Sequence, residues 1–496
     1  MNLTMLLEMA ADGFGDRVLI GRRADGLTAS DLRRAAMRGA RMVSDAGADA
    51  IVYVAVNGPA FPVALFAAAY AGVPLVPLNF RLGDEQLGDL LAKHPNALAI
   101  LPPGNQRLLT DDRARTFTPD EWLAETTGTA DAEPIFVESE APAVVIYTSG
   151  TTAAPKGVLL RHTNLTSYVF GTVEFGSAEP SEAALVSVPP YHIAAVANVI
   201  TNLFTGRRTI VLDRFEPAEW LATVRSEQIT NALVVPTMLA RIIECPGDKT
   251  ATSLRNLAYG GAPTPLSVIR RAMEVWPDVD FVNAYGLTET SSTVTLLTPD
   301  DHREAFASRD PFVRVRLGSV GRALPGVEIE VRGEDDAVLP PGQRGRIWIS
   351  GDQVSAEYAG VGRQLDARGF FDTRDEGFLD EDGYLFIGGR RDDTIIRGAE
   401  NISPAEIETV FYRHPAVADV AVVGIPDDEW GQRIVAVVVL RDSENATSEE
   451  LREFVRVTLR SSKTPDEIVF WHELPRTETG KLLRRDVVAQ FKAEHV

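Results

Sequence analysis

The sequence predicts an α/β fold. A large N-terminal domain of two layered α/β lobes plus a small distorted β-barrel is followed by a small α+β C-terminal domain. Three observations carry this expectation. Between residues 51 and 283, continuous β-branched runs alternate with apolar stretches of helical length, the pattern of parallel strands buried on both faces and joined by crossover helices. From about residue 311 apolar and polar positions alternate between proline–glycine turns, as in antiparallel strands. A short, charged, glycine-led connector, Gly388-Gly389-Arg390-Arg391-Asp392-Asp393, then divides the chain into residues 1–391 and 392–496.

In order, Ile51 to Val56 is the first of these strands and Asn57-Gly58 turns the chain. Pro62 to Ala71 is a helix with no polar face, hence buried, and Val73 to Leu78 completes a βαβ unit. Strands follow near 97–101, 143–147, 184–188, 209–212, 231–235, 256–259 and 280–283. Helices fall near 84–93, 163–174, 193–204, 216–227 and 265–275. Ligands of such sheets collect at the carboxyl ends of strands, where four unusual loops lie: 147–157, 189–192, 259–263 and 284–290. Val327 to Val331 and Arg346 to Ser350 flank Pro340-Pro341-Gly342, and Glu381-Asp382-Gly383 is a hairpin signal between aromatic strands. Past the connector, Ser403 caps a helix over 404–412, with Pro404 at its first position and Glu406 completing a capping box. Strands at 417–423 and 434–440, a helix at 448–460 and a strand at 468–471 complete the small domain.

Composition narrows the function classes. A formal charge of −21 disfavours nonspecific nucleic-acid binding, which needs a basic footprint. No 18-residue apolar run offers a membrane span, and Met1 to Ala11 has no basic residue before its apolar patch, so it makes a poor signal peptide. The single cysteine, Cys245, excludes an intramolecular disulfide and fits a reducing cytoplasm, the expected location. Of 49 basic residues only six are lysine, so Lys156 and Lys481, each beside glycine in a Thr/Pro-rich turn, stand out.

Three glycine-containing loops suit a nucleotide. In Tyr147-Thr148-Ser149-Gly150-Thr151-Thr152-Ala153-Ala154-Pro155-Lys156-Gly157, glycines free backbone N–H groups for an anion, hydroxyls add donors, and lysine adds a compact positive charge. It is not a P-loop of the Walker type, because Gly157 stands where Ser or Thr is required. In Tyr259-Gly260-Gly261-Ala262-Pro263 the paired glycines let a flat base lie against the backbone. Asn283-Ala284-Tyr285-Gly286-Leu287-Thr288-Glu289-Thr290 offers an aromatic face, a hydroxyl for a phosphate and a carboxylate for Mg²⁺. Alone, the second loop reads as well as a plain strand-to-helix turn and the third better as a solvated turn, whereas Pro-Lys-Gly tips the first toward a phosphate grip. Asp375 and Arg390 are candidates for ribose hydroxyls. His192, before an apolar helix, is a candidate to orient an apolar substrate or a satisfied structural histidine.

Together, YTSGTT-x-x-PKG at 147–157, GGAP at 260–263, NAYGLTET at 283–290, LDEDGYLFIGGR at 379–390, DDTIIRGAENISPAEIE at 392–408 and TETGK at 477–481 resemble the adenylate-forming superfamily of acyl-CoA synthetases, adenylation domains and luciferases. The resemblance runs from about residue 50 to Lys481. It implies a mobile C-terminal domain hinged at Asp392 and two half-reactions: ATP and a carboxylic acid give an acyl-adenylate and pyrophosphate, then a thiol takes the acyl group. It also implies roles for residues. Thr148, Ser149, Gly150, Thr151, Thr152 and Lys156 would hold the β- and γ-phosphates, Thr288 the α-phosphate and Glu289 Mg²⁺. Tyr285 and Gly261 would flank adenine, Gly260, Ala262, Pro263 and Gly286 would belong to the same nucleotide-binding set, and Asp375 and Arg390 would bind ribose. Lys481 would serve the carboxylate and α-phosphate. Trp430 would face the adenine of coenzyme A and Gly398 would line its pantetheine path.

Two positions depart from the family pattern: Ala153 and Arg374 each stand where glycine is usual. The expected activity is an AMP-forming ligase joining a hydrophobic carboxylic acid to CoA. Alternatives are an enzyme loading a carrier-protein phosphopantetheine and a weakly catalytic nucleotide-binding regulator. The acid pocket is expected near His192, Val234 to Met238, Tyr259 and 284–293. The identity of the acid and the oligomeric state, a homo-oligomer included, stay open.

Overall fold

A computed structural model describes residues 1–105, 115–128, 141–148, 155–390, 393–397, 400–427, 430–442, 444–459, 461–477 and 480–494, with the side chains of residues 390, 400 and 401 left aside. Two large sheets form the body of the protein. One has eight strands, Gly362–Arg363, Glu357–Tyr358, Lys156–Leu160, Val144–Thr148, Leu75–Pro77, Ile51–Tyr53, Leu98–Ile100 and Thr116–Phe117 in spatial order. The other has nine, with Ser292–Leu297, Asp280–Leu287, Asn256–Gly260, Asn231–Val234, Ala183–Val186 and Arg208–Val211 running across its middle. The central neighbours in both sheets are parallel, as the βαβ pattern requires.

Helices packed between these sheets explain why the central strands are apolar on both faces. Every residue of Ala60–Ala71 is buried, which is the fate of a helix without a polar face. It packs with Leu3–Phe14 and Ala29–Ala46 in one continuous core that also takes in Ile51, Leu98, Leu185 and Leu257. Neither of those two helices is anticipated above. Ala29–Ala46 nonetheless carries its own start signal, a capping box of Thr28 and Asp31.

The antiparallel region is a four-stranded sheet, Glu328–Arg332, Gly345–Ser350, Phe371–Leu379 and Leu385–Arg390, and no closed barrel forms among the described residues. Its last hairpin is the expected one, with Phe378 stacked on Phe386 at 4.8 Å between centroids. Beyond it a separate core forms around Ile402, Phe411, Val422, Ala436 and Leu451, against a three-stranded sheet of Val417–Asp427, Gly431–Leu440 and Glu467–Phe470. Two expectations are corrected here. Ser403 does not close a capping box: its hydroxyl donates to the Gly388 carbonyl, tying the helix Pro404–Phe411 back to the preceding sheet, and Glu406 pairs with Lys463 at 2.6 Å. The stretch 284–290 is not a free turn, because the strand runs on to Leu287 and a 3₁₀ turn occupies Thr288–Thr290. Among the described residues no helix is long and apolar enough to cross a membrane.

Candidate active site

The first loop is the tip of a hairpin. Val144–Thr148 pairs antiparallel with Lys156–Leu160, and Thr148 lies opposite Lys156, which therefore opens the return strand and is exposed. Ser149, Gly150, Thr151, Thr152 and Ala153 lie outside the described residues. The stem is anchored from one side: the Tyr147 hydroxyl meets His94 Nε2 at 3.0 Å, and Lys93 Nζ sits 5.1 Å from the Tyr147 ring centroid. Burial lowers the His94 pKa and so favours the neutral ring that such a contact uses.

The second and third loops are neighbours in the nine-stranded sheet, with Gly260 paired to Ala284. A Cβ on Gly260 would fall on the Ala284 carbonyl oxygen, so the close strand approach requires glycine there. Gly261 needs it for a different reason, its φ of +84°. Ala262 and Pro263 follow on the surface side, half-buried and exposed. Gly286 sits at a bulge in the ladder to Ser292–Leu297, where a side chain would meet the Ser292 backbone. The outcome is a flat, backbone-walled surface at a strand end. Tyr259 is a correction: its ring is in the core and its hydroxyl is committed to His302 Nε2 at 2.8 Å, so it supports this surface from behind instead of lining a substrate pocket.

Tyr285 and Asp375, 90 residues apart, are brought into contact, the tyrosine hydroxyl donating to Asp375 Oδ2 at 2.7 Å. Asp375 is only 5% exposed, and its backbone N–H donates to Thr373 Oγ1 at 3.1 Å. Arg390 stands directly opposite Asp375 in the antiparallel ladder. The expected ribose pair thus shares one rung of the sheet. Arg374, just before it, adopts φ +61°, the left-handed conformation that explains why glycine is usual there.

Thr288 and Glu289 form the half-buried 3₁₀ turn that ends the strand. Two backbone donors, Ser355 N (2.9 Å) and Ala356 N (3.0 Å), hold the Glu289 carbonyl, while the Tyr358 hydroxyl donates to its Oε1 at 2.9 Å. Tyr358 is a site residue that sequence reasoning missed, since nothing local marks a tyrosine 69 positions away as a partner. Among the described residues no group of three His, Cys, Asp or Glu side chains gathers to hold a metal.

The lysine loop arrives from the other domain. Arg476 and Leu482 pair across a tight hairpin, inside which the Lys481 N–H donates to Thr477 Oγ1 (3.0 Å) and the Thr477 N–H to the Lys481 carbonyl (2.8 Å). Arg476 braces it with a two-point pair to Asp419 (2.9 and 2.6 Å), to which Tyr412 also donates at 2.7 Å. Gly480, at φ +72°, lies against Thr237 of the helix Pro236–Glu244, where a Cβ would stand 2.8 Å from Thr237 Cγ2. This seats Lys481 near His192, the residue before the helix Ile193–Thr205. The His192 pKa is pushed down to about 4, first by burial and then by the Lys481 charge, so the ring is neutral at pH 7. A cavity of about 380 Å³ opens beside this seat, walled by Phe80, Pro189, Pro190, Leu212, Phe215, Thr237 and Met238, with Asn57, Arg81, Ser187 and Arg241 among its polar groups.

Trp430 belongs to the small domain. It is 45% exposed at the turn between Val417–Asp427 and Gly431–Leu440, with the Arg397 guanidinium 5.1 Å from its ring centroid. Gly398 and Asp392 lie outside the described residues, as does the Arg390 side chain.

Fold and site together define a protein with a large α/β N-terminal domain and a smaller C-terminal one, whose lysine hairpin lies against the helix Pro236–Glu244. The chain belongs to the AMP-binding enzyme family: that family's model matches residues 7–359, and the model of the AMP-binding enzyme C-terminal domain matches 406–481. It is 33% identical over 476 residues to a feruloyl-CoA synthase of Amycolatopsis sp, covering 94% of each chain. It is 31% identical over 491 residues to a fatty acid–[acyl-carrier-protein] ligase of Streptomyces coeruleorubidus, covering 94% of this chain and 92% of that one. Among solved structures, o-succinylbenzoate CoA synthetase from Bacillus subtilis in complex with its acyl-adenylate intermediate superposes with a TM-score of 0.83 at 27% identity, covering 97% of each chain.

Proposed function

We propose that this chain is an AMP-forming acid–thiol ligase that joins a hydrophobic carboxylic acid to coenzyme A. In the first half-reaction a carboxylate oxygen attacks the α-phosphorus of ATP, the P–O bond to the β-phosphate breaks, and pyrophosphate leaves with the bonding electrons. In the second, the CoA thiol gives up its proton to solvent, sulfur attacks the acyl carbon, and the C–O bond to AMP breaks, its electron pair leaving on the AMP phosphate. The observation that carries this reading is the seating of Lys481 beside His192, next to a cavity of mixed lining that Thr237, Pro189 and Pro190 border.

Lys481 offsets the repulsion between two anions as they meet, electrostatic help worth several kcal/mol (about 2.7–4) in comparable sites. His192, held neutral, shields the acid from a second positive charge and can donate one hydrogen bond. Thr148, the 149–152 segment and Lys156 take the β- and γ-phosphates, Thr288 the α-phosphate, and Gly260 to Pro263 with Tyr285 and Gly286 the adenine. Asp375, already oriented by Tyr285, accepts from ribose together with Arg390. Glu289, oriented by Tyr358, holds Mg²⁺, which offsets phosphate charge when bound. Residues 1–391 form the ATP- and acid-binding domain and 392–496 the mobile domain, hinged at Asp392. After adenylation the small domain turns to bring Gly398 and Trp430 to CoA. The single cysteine suits a cytoplasmic setting.

Purified protein given ATP, Mg²⁺, CoA and a panel of acids should release AMP and pyrophosphate. Aromatic acids head the panel because of the feruloyl-CoA and o-succinylbenzoate relatives. Formation of ADP and phosphate in place of AMP would end this reading. The fatty acid–[acyl-carrier-protein] ligase among the relatives favours one second reading, a carrier phosphopantetheine as acceptor. Competing free CoA against a holo-carrier protein decides between the two thiols.

A further inference from the structure

We infer that the helix Pro236–Glu244 is the seat on which the C-terminal domain docks for acid activation, with Thr237 and the Glu244–Arg441 ion pair as its positioning residues. The inference rests on the two-step ligase reading above. Away from the connector, where Ser403 is tied to Gly388, two contacts between described residues of the domains land on this helix. Thr237, its second residue, meets Gly480. Glu244, its last, pairs with Arg441 at 3.2 Å. Seven positions separate them, two helical turns, so they share one face about 10 Å apart. The opposite face is fixed, since Met238, Leu239, Ile242 and Ile243 are buried in the large core. One contact would fix only a point on the arriving domain; two, held on a rigid rod, also fix its rotation.

The small domain connects the same two points on its own side. Arg441 directly follows the strand Gly431–Leu440, and Val439 of that strand pairs with Asp419 in the neighbouring one. Asp419 is the carboxylate that grips Arg476 at the base of the lysine hairpin. The Glu244 pair and the Lys481 hairpin therefore hang from one end of one small sheet, and the ion pair helps set where Lys481 stands relative to His192. The thioester step does not use Lys481, so it has no need of this seat. Glu244 and Arg441 are both partly exposed, so their attraction is modest and screened by salt.

Glu244→Arg turns the attraction into repulsion. At low salt it should lower acid-dependent pyrophosphate exchange about five- to tenfold, with the loss shrinking at high salt. Conversion of preformed acyl-adenylate and CoA to thioester should stay within about twofold of wild type, since exposed charges away from the site usually matter little. Combining it with Arg441→Glu should restore most of the exchange. Arg441 Nε also donates to the Pro415 carbonyl at 3.1 Å, so a second measurement avoids relying on that swap. In a Cys245→Ser background, Glu244→Cys with Arg441→Cys should be joined by a short bismaleimide, visible on a gel whether or not any acid is turned over. The joined protein should form acyl-adenylate but not thioester. Unchanged exchange in Glu244→Arg, or equal loss of both half-reactions, overturns the inference, as does failure to cross-link. Efficient cross-linking in a protein that activates no acid would leave the docking seat standing and remove the ligase reading instead.

Discussion

The loops proposed to hold adenine and the lysine hairpin proposed to serve the acid are held by opposite means. Gly260, Gly261, Tyr285, Gly286 and Asp375 belong to strands, and their positions follow from sheet register, a bulge and a buried hydrogen bond. Lys481 is rigid within its own small domain through Arg476, Asp419 and Tyr412, yet it reaches the site only by docking against a helix of another core. On the domain-swing reading proposed above, one side is preformed and the other is delivered. A group built into the sheet must be present for both half-reactions, whereas a delivered group can be withdrawn after the first. The difference therefore predicts which substitutions harm both steps and which harm one.

The sharpest way to break this contrast is Lys481→Ala. Adenylation should fall by about 10²–10³, the usual effect of losing a charge-stabilising group, while preformed acyl-adenylate still becomes thioester. Single-turnover assays of the two halves settle it, and parallel loss of both would mean that Lys481 is as fixed as the loops opposite. Gly260→Ala tests the other side. The new methyl would press on the Ala284 carbonyl, a strand backbone that cannot step aside. A cost of about 3 kcal/mol in stability is expected for overpacking of this kind, with ATP binding and both half-reactions weakened together. Denaturant melts and nucleotide titration provide the check.

The preformed side was the more readable in sequence for the same physical reason. Runs such as Val144-Val145-Ile146 and Leu257-Ala258-Tyr259 announce strands by themselves, and glycine pairs announce strained or close backbone, so the loops at their ends could be located. Lys156 was visible as an odd lysine beside glycine, but its place at the start of a return strand depends on pairing with Thr148. Ala29–Ala46 was equally legible, since Thr28 and Asp31 mark its start and Leu32, Ala36, Ala40 and Val43 recur at helical spacing, but it lies before the first strand of the alternating pattern and so falls outside that reading. Nothing in local sequence could link Tyr358 to Glu289 or Gly480 to Thr237. Such contacts exist only once two sheets or two domains have met. The expected Ser403 capping box failed likewise, its hydroxyl being taken by the Gly388 carbonyl of the neighbouring sheet.

Acid should loosen the preformed side through His302. This ring is 1% exposed; its Nδ1–H donates to the Thr298 carbonyl at 2.8 Å and its Nε2 accepts from Tyr259. Burial, the largest influence, outweighs the Thr298 bond and Asp301 and pushes the pKa down to about 4. The unfolded chain, with a histidine near 6.5, thus binds the proton first as pH falls. The stability this neutral ring secures is complete above about pH 6.5 and is lost progressively as pH falls toward 4, on the order of 2–3 kcal/mol. Thermal melts at pH 7.5 and 4.5 should show a smaller acid-induced drop in His302→Gln than in wild type. An equal drop in both would move the acid sensitivity to another group, with His192 and His162, both also depressed to about 4, next in line.

The smallest expected effect concerns Arg374, where the two kinds of construction can be told apart at one residue. Its φ of +61° places a long side chain in the left-handed region beside Asp375, a conformation costing about 1 kcal/mol or more for any residue but glycine. Its backbone N–H donates to Asp372 Oδ1 at 2.9 Å, a bond that glycine would keep. Arg374→Gly relieves the strain but frees the unfolded chain, so the net gain should be only about 0.5 kcal/mol, a shift of about 1 °C in melting temperature. If the arginine only tolerates its place in the sheet, adenylation should be unchanged. A variant that is more stable yet clearly poorer at pyrophosphate exchange would show the strain to be functional, the guanidinium being held in an unfavourable backbone because the nucleotide uses it. Arg374 would then join Asp375 as a second working charge on the preformed side.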